Sequence, residues 1–218
     1  MGVLTRFFAP ASGGRIQLIL TVGLVLTLML GSGCGTIHSH RLEMDAVAEQ
    51  DLPKNLSGQL VDPFGSPGRR GIVLIFLRSD CPIANHYAPE IRRLCEKYTS
   101  EGFVLWLVYA DGDVTQEDIL QHQKEYELPG NVLRDLGHVL VRRAGATVTP
   151  QAAVFLPNGK RVYCGRIDDR YVDFGKERPK PTERDLDDAL QAVISGRSVL
   201  HPTTAAVGCY IPAPTPKR

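Results

Sequence analysis

Two uninterrupted apolar runs, with helical spacing between them, mark the centre of the chain. Gly71–Leu77 and Phe103–Tyr109 are rich in β-branched and aromatic residues, which predicts two buried strands. From Ala84 to about Ser100 the apolar residues recur at i, i+3, i+4 and i+7, which predicts a helix. Because a strand, a helix and a strand follow one another, we expect a right-handed crossover between parallel strands.

Shorter patterned segments follow in the second half of the chain. Three further helices are predicted, at 115–126, 136–144 and 182–195. Thr115 and Thr182 are the predicted N-caps of the first and the last of these. Strands are predicted at 152–156 and 161–166, and the Pro-Asn-Gly turn between them indicates a hairpin. The resulting order, β-α-β-α-α-β-β-α, indicates an α/β fold.

Composition narrows the function classes without selecting one. The chain has 218 residues, 43% of them hydrophobic, which predicts one folded domain with additional segments rather than a disordered chain. A formal net charge of +1 argues against a strongly basic nucleic-acid binder. Five cysteines are too few for a disulfide scaffold but enough for a redox pair or a metal site. From the motifs present we predict no cofactor, no bound metal and no nucleic-acid partner.

The N-terminal residues 1–34 have the layout of a bacterial secretory signal. Arg6 and Arg15 precede the apolar stretch Ile16–Leu30, and small residues then lead to Cys34. This layout resembles a lipoprotein-type signal peptide, in which Cys34 would carry the lipid after cleavage. The alternative is a signal without lipid, since Gly31 stands where such signals usually have Leu.

The signal predicts where the rest of the chain is found. We expect an exported lipoprotein, anchored to a membrane and facing the periplasm or the cell exterior, where disulfides persist. Residues 35–56 are polar with weak periodicity and are predicted to be a linker. Residues 198–218 are predicted to be a Pro-rich C-terminal tail.

Cys81 is the main candidate for chemistry. It follows the first predicted strand and precedes a helix, where free N–H groups and the helix dipole favour an anion such as a thiolate. Pro82 suits the first helical turn, because it has no N–H to satisfy. The alternative is a small buried cysteine without a role.

The segment from Cys81 to Pro89 reads CPIANHYAP, and Thr149-Pro150 precedes the strand predicted from Ala152. This combination resembles the thioredoxins and related redoxins. Cys81 matches the attacking cysteine of their CxxC motif, and Pro150 matches the cis-proline that lies beside the attacking sulfur. The resemblance covers about residues 57–197. It implies a thioredoxin-like three-layer sandwich with a mixed central sheet, and a cis bond between Thr149 and Pro150.

Three further stretches are similar to a narrower group of proteins. Gly165–Asp169, Arg178–Leu186 and Gly208-Cys209 look like exported bacterial redoxin-domain proteins. That group is usually placed in the alkyl hydroperoxide reductase/thiol-specific antioxidant class. The resemblance therefore implies an antioxidant or oxidoreductase function at Cys81.

Around Cys81 the chain departs from both the thioredoxin motif and the peroxiredoxin motif. Ala84 stands where the second cysteine of CxxC would be, and Asp80 replaces the tryptophan of thioredoxins. Arg78 stands where peroxiredoxins have Thr or Ser, and it offers positive charge to a thiolate. The residues predicted to surround the nucleophile are thus Arg78, Asp80, Pro82, Thr149 and Pro150.

A resolving cysteine must come from elsewhere in the chain. Cys95 is fourteen residues further along the predicted helix, about 21 Å away, and Cys164 lies in a strand. Cys209 lies in the tail, which we expect to be able to move, so it is the predicted resolving partner of Cys81. The alternatives are an exposed thiol or a disulfide between Cys209 and Cys164.

Three functions remain open at this stage. The first is an extracytoplasmic thioredoxin-like thiol–disulfide oxidoreductase that uses Cys81 as nucleophile. The second is a thiol peroxidase of the peroxiredoxin class, and the third is a redox-silent thioredoxin-fold interaction module. The expected partners are a disulfide or peroxide substrate, either protein or small molecule, a reductant that the sequence does not identify, and the membrane through the N-terminal lipid.

Overall fold

A five-stranded mixed sheet forms the centre of the fold. The computed structural model of the chain describes residues 52–65 and 68–214, so the predicted signal peptide, Cys34 and most of the predicted linker lie outside the described residues. The strands are β1 Gly71–Leu77, β2 Phe103–Tyr109, β3 Val132–Arg134, β4 Val148–Thr149, β5 Gln151–Phe155, β6 Arg161–Gly165, β7 Tyr171–Asp173, β8 Lys176–Glu177 and β9 Cys209–Tyr210.

The sheet has the order β3-β2-β1-β5-β6. β2 is parallel to β1 and to β3, whereas β5 is antiparallel to both β1 and β6. The predicted crossover and hairpin are therefore both present. Two smaller sheets, β4 with β9 and β7 with β8, lie outside the central one.

Helices cover both faces of the sheet. They are α1 Pro82–His86, α2 Ala88–Ser100, α3 Gln116–Tyr126, α4 Val139–Ala144 and α5 Asp185–Ile194. All of β1 is buried, and its side chains alternate between two apolar clusters. One cluster includes residues of α1, α2, α3 and α5, and the other includes residues of α4. This arrangement confirms the predicted α/β, thioredoxin-like three-layer sandwich with a mixed central sheet.

Two helix predictions need correction. The helix predicted from Ala84 to Ser100 is two helices that meet at Tyr87, because Pro89 in the first turn of α2 cannot donate the backbone hydrogen bond that would continue α1. Thr182 is not an N-cap, since α5 starts after Arg184. The Thr182 hydroxyl instead donates to the carboxylate of Asp169, which also accepts from the Thr182 and Glu183 amides.

The segments predicted as linker and tail contribute to the folded part. Lys54 exchanges two backbone hydrogen bonds with Arg134, at 3.0 and 2.7 Å, so the end of the linker is attached to β3. On the C-terminal side, the Pro202 carbonyl accepts from the Cys164 amide of β6 at 2.9 Å. Among the described residues, no helix is both long and apolar enough to cross a membrane.

Candidate active site at Cys81

Cys81 is held by the local structure that the sequence predicts around it. It is the N-cap of α1, with Pro82 in the first turn, and the Ala84 amide donates to its sulfur at 3.5 Å. The residue is completely buried, with 0% of its surface exposed. The first turn of α1 therefore lies directly at this sulfur.

The connection from β4 to β5 brings a backbone carbonyl to the sulfur. The Thr149–Pro150 bond between these strands is cis, as predicted. The Cys81 thiol donates to the Thr149 carbonyl oxygen at 3.1 Å. Thr149 and Pro150 thus lie directly beside the candidate nucleophile.

Cys209 also lies at this position, but it is not on a free tail. β9 pairs antiparallel with β4, and Cys209 stands opposite Thr149. Burial and the neighbouring Cys81 thiol raise the pKa of Cys209. Gly208 makes the close approach possible, because a Cβ at that position would lie 2.1 Å from the Thr149 carbonyl oxygen. The predicted tail is therefore attached to β4 as far as Ile211 in this structure.

The other described cysteines occupy different surroundings. Cys95 is buried in α2, and burial raises the pKa of its thiol to about 12. Cys164 belongs to the apolar cluster on the opposite face of the sheet, where Gln151 donates to its sulfur at 3.5 Å. All four cysteines of the described residues are free thiols in this structure.

Arg78 connects the loop before Cys81 to the C-terminal strand. Its guanidinium lies 2.8 Å from the Asp80 carboxylate and 3.3 Å from the Asp111 carboxylate. It also donates to the Tyr210 carbonyl at 3.2 Å. Pairing with Arg78 offsets the negative charge that Asp80 brings close to the sulfur.

Sequence reasoning did not assign Asp111 to this site, although the signal was present. β1 and β2 are parallel neighbours, and Leu77 stands opposite Tyr109 in the register. The residues that follow the two strands therefore meet at the same edge of the sheet. Asp111 is almost fully buried there, which leaves its carboxylate facing Arg78.

A buried polar chain fixes the same loop from the other side. The Asn85 amide donates to the Ser79 carbonyl at 3.0 Å, and its oxygen accepts from His122 Nε2 at 2.8 Å. The second ring nitrogen of His122 therefore accepts from the Tyr109 hydroxyl at 2.7 Å. Burial lowers the pKa of His122, which keeps the ring neutral.

The hairpin β7–β8 adds a further set of polar groups next to α1. The Tyr171 hydroxyl is hydrogen-bonded to His86 Nδ1, which also lies 3.3 Å from Glu177. Burial is the main cause that raises the pKa of Tyr171, and Glu177 and Cys81 contribute. Neither strand of this hairpin was predicted, because three-residue and two-residue strands carry too little periodicity to recognise.

No metal centre is apparent in the part of the chain that the structure describes. There, no group of three or more His, Cys, Asp or Glu side chains is placed to hold a metal ion. The chemistry available at the site is that of two thiols, a helix N-terminus and one guanidinium.

The site thus has a buried cysteine at a helix N-terminus and a neighbouring cis-proline, on a thioredoxin-like fold. No family model and no curated protein sequence matches the chain. Several solved structures, however, are similar to this chain. An uncharacterized conserved protein from Geobacillus kaustophilus has 22% identity and a TM-score of 0.65, over 81% of this chain and 96% of that one. A hypothetical protein from Sinorhizobium meliloti 1021 has 22% identity and a TM-score of 0.61, over 72% and 87%.

Structures of named function are similar over smaller parts of the chain. The exposed lipoprotein thioredoxin Etrx1 from Streptococcus pneumoniae has 21% identity and a TM-score of 0.46, over 65% of this chain and 96% of that one. At these identities the comparisons show the fold alone. The role of each residue at the site has to be argued from its own geometry.

Proposed function

We propose that this chain is an extracytoplasmic thiol–disulfide oxidoreductase in which Cys81 is the nucleophile and Cys209 the resolving cysteine. The observation that carries the proposal is the placement of Cys209 opposite Thr149, whose carbonyl accepts from the Cys81 thiol next to cis-Pro150. Thiol–disulfide exchange requires a second sulfur that can reach the first, and the missing cysteine of the CxxC motif is replaced here by Cys209.

The reaction proceeds in two exchanges. The Cys81 thiolate attacks one sulfur of a substrate disulfide, a bond forms between Cys81 and that sulfur, and the other substrate sulfur leaves and takes up a proton. Cys209 then loses its proton and attacks the Cys81 sulfur, which closes the Cys81–Cys209 disulfide and releases the second substrate thiol. The substrate gains two electrons and two protons, and a dithiol reductant restores the protein.

The surrounding residues have distinct roles in this proposal. Pro82 and the Ala84 amide set the N-terminus of α1 at the sulfur, where it stabilises the thiolate. Arg78 neutralises Asp80 and holds the Tyr210 backbone, which keeps Cys209 close. Thr149 and Pro150 position the strand on which Cys209 is aligned.

The location outside the cytoplasm rests on the N-terminal sequence. Residues 1–34 combine a basic start, an apolar stretch and Cys34, as lipoprotein signals do. Lipidation of Cys34 would place the domain at a membrane surface, in a compartment where a disulfide can form. If this is right, the wild-type protein partitions into detergent and Cys34→Ala releases it. Equal membrane retention by the variant would contradict it.

Activity of the purified protein on insulin disulfides tests the proposed reaction. We expect turnover with dithiothreitol, loss of turnover in Cys81→Ser, and wild-type turnover in the control Cys95→Ala. Faster consumption of hydrogen peroxide than of disulfides would favour the thiol peroxidase instead. No difference between wild type and Cys81→Ser in either assay would leave the redox-silent interaction module as the better account.

A further inference from the structure

Cys81 has no path to a substrate in the structure described above. Its side chain is completely buried, while Cys209 beside it is only partly buried. The segment that carries Cys209 lies along β4, next to the Thr149 carbonyl that the Cys81 thiol contacts. A substrate disulfide must bring its sulfur into line with the Cys81 sulfur, so some part of this cover has to move before the first exchange.

The C-terminal segment is anchored firmly on one side of this cover. Thr204 is tied to β6, since its amide donates to the Cys164 carbonyl at 3.3 Å and its hydroxyl is 2.7 Å from the Tyr163 hydroxyl. The Arg166 amide donates to the same Thr204 hydroxyl at 3.2 Å. Gly165 lies directly under this residue, where a Cβ would be 2.1 Å from the Thr204 hydroxyl oxygen.

Beyond Thr204 the segment is held by a short strand pairing instead of by β6. We call residues 205–211 the C-terminal strap. The strap pairs with β4 through only Cys209 and Tyr210, and the Ile211 amide adds one bond to the Thr147 carbonyl at 3.0 Å. Tyr210 is 75% exposed, so its ring adds little apolar burial, whereas Val207 and Ile211 are partly buried against the two core clusters. Two side chains also hold the strap: Arg78 donates to the Tyr210 carbonyl, and the Thr149 hydroxyl donates to the Cys209 carbonyl at 3.4 Å.

We propose that the C-terminal strap is a displaceable strand that gates Cys81, and that an extended polypeptide substrate enters by taking the place of β9 on β4. This rests on the proposed function. Among the described residues β4 has β9 as its partner in a two-stranded sheet, so release of the strap leaves a strand edge with free backbone groups. Such an edge binds an extended chain through its main-chain groups, with little demand on sequence.

The gate also couples closure to product release. Cys209 is part of the strap, so it can attack the Cys81 sulfur only when the strap returns to β4. The returning strand occupies the edge that the substrate used. Formation of the Cys81–Cys209 disulfide therefore expels the reduced polypeptide and covers Cys81 in the same event.

Substitution of Gly208 tests the gate directly. In Gly208→Ala the new Cβ would lie 2.1 Å from the Thr149 carbonyl oxygen, which pushes the strap off β4. We expect N-ethylmaleimide to alkylate Cys81 at least tenfold faster in the double variant Gly208→Ala/Cys209→Ser than in Cys209→Ser alone. Peptide mass spectrometry measures the rate. Gly130→Ala is the matched control, because a Cβ there meets nothing within 4 Å and its φ is not positive.

A second variant separates gating from misfolding. Ile211→Pro removes the amide that bonds Thr147 and leaves the glycines unchanged. We expect faster alkylation of Cys81 in this variant too, with β1 and β2 amides still protected from hydrogen exchange. An unchanged alkylation rate in both variants, with protection of the strap amides lost, would overturn the gate.

The nature of the occupant is tested with a peptide. A synthetic copy of residues 205–211, with Ser in place of Cys209, should bind Gly208→Ala and slow its alkylation, but should not bind the wild type. Failure to bind Gly208→Ala would show that the β4 edge does not accept an external strand. These outcomes are independent of catalysis: insulin turnover that depends on Cys81 with an unchanged alkylation rate refutes the gate, while faster alkylation without turnover refutes the proposed function.

Discussion

The two cysteines of the site reach the same point by different means. Cys81 is placed by adjacent elements of the sequence, a fully buried strand and the helix that starts directly after it. Cys209 arrives from far along the chain, on a two-residue strand held by backbone bonds and by the side chains of Arg78 and Thr149. The comparison shows that Cys81 is fixed by adjacent core elements, while Cys209 depends on a two-residue strand from a distant part of the chain. The predictions below separate these two dependences.

The largest difference is expected between removal of one cysteine and removal of the other. Cys81→Ser should form no covalent intermediate with a peptide disulfide, since Ser cannot replace the attacking sulfur. Cys209→Ser should accumulate a stable mixed disulfide at Cys81, because the resolving sulfur is absent. Non-reducing mass spectrometry measures both adducts. A mixed disulfide that resolves at the same rate without Cys209 would contradict the assigned role.

A pair of leucine truncations compares the stability of the two regions. Leu74 is completely buried in β1, whereas Leu200 in the C-terminal segment is almost fully exposed. We expect Leu74→Ala to lower the free energy of unfolding by about 2–5 kcal/mol. Leu200→Ala should change it by less than about 0.5 kcal/mol. Urea denaturation measures both, and equal losses would show that the C-terminal segment contributes to the core.

The buried polar chain at Asn85 should have a smaller effect. Asn85→Ala leaves the Ser79 carbonyl and His122 without their partner, which we expect to cost about 1–3 kcal/mol of unfolding free energy. It should also slow insulin turnover, because the loop before Cys81 loses its support. Asn158→Ala is the control, since it removes a side-chain hydrogen bond in an exposed turn. Equal turnover in the two variants would argue against a positioning role for Asn85.

The smallest effect concerns pH. Burial holds the pKa of His122 below its ordinary value of 6.5, and the nearby Glu125 opposes this only in part. As the pH falls through about 6.5, the unfolded chain binds a proton at His122 that the folded chain does not, so folding stability decreases. The decrease in the free energy of unfolding between about pH 7.5 and 5.5 should be smaller in His122→Gln than in the wild type. The exposed His201→Gln serves as control and should leave the loss unchanged.

Much of the framework around Cys81 could be predicted because it follows from local patterns. The continuous apolar runs of β1 and β2 indicate buried strands, and the capping residue and periodicity of α3 indicate a helix. The cis bond at Pro150 was predicted from the resemblance to thioredoxins. In each case the deciding residues lie within a few positions of the element that they form.

The C-terminal strap could not be predicted in the same way. Its strand has two residues, too few for an alternating pattern, and its position depends on Thr149 about sixty residues earlier. Proline content favoured a free tail, but the tail bonds β6 through the Pro202 carbonyl and passes β4 because Gly208 has no side chain. The β7–β8 hairpin, which carries Tyr171, was not predicted either, because its strands are also too short to show an alternating pattern.

The identity of the disulfide formed on oxidation tests the central claim most directly. The wild-type protein is oxidised with a small disulfide, digested without reduction and analysed by mass spectrometry. The account predicts a peptide pair joined through Cys81 and Cys209, with Cys95 and Cys164 remaining free thiols. Cys209 recovered as a free thiol while Cys81 is oxidised to sulfenic acid would contradict the account and favour a mechanism that uses a single cysteine.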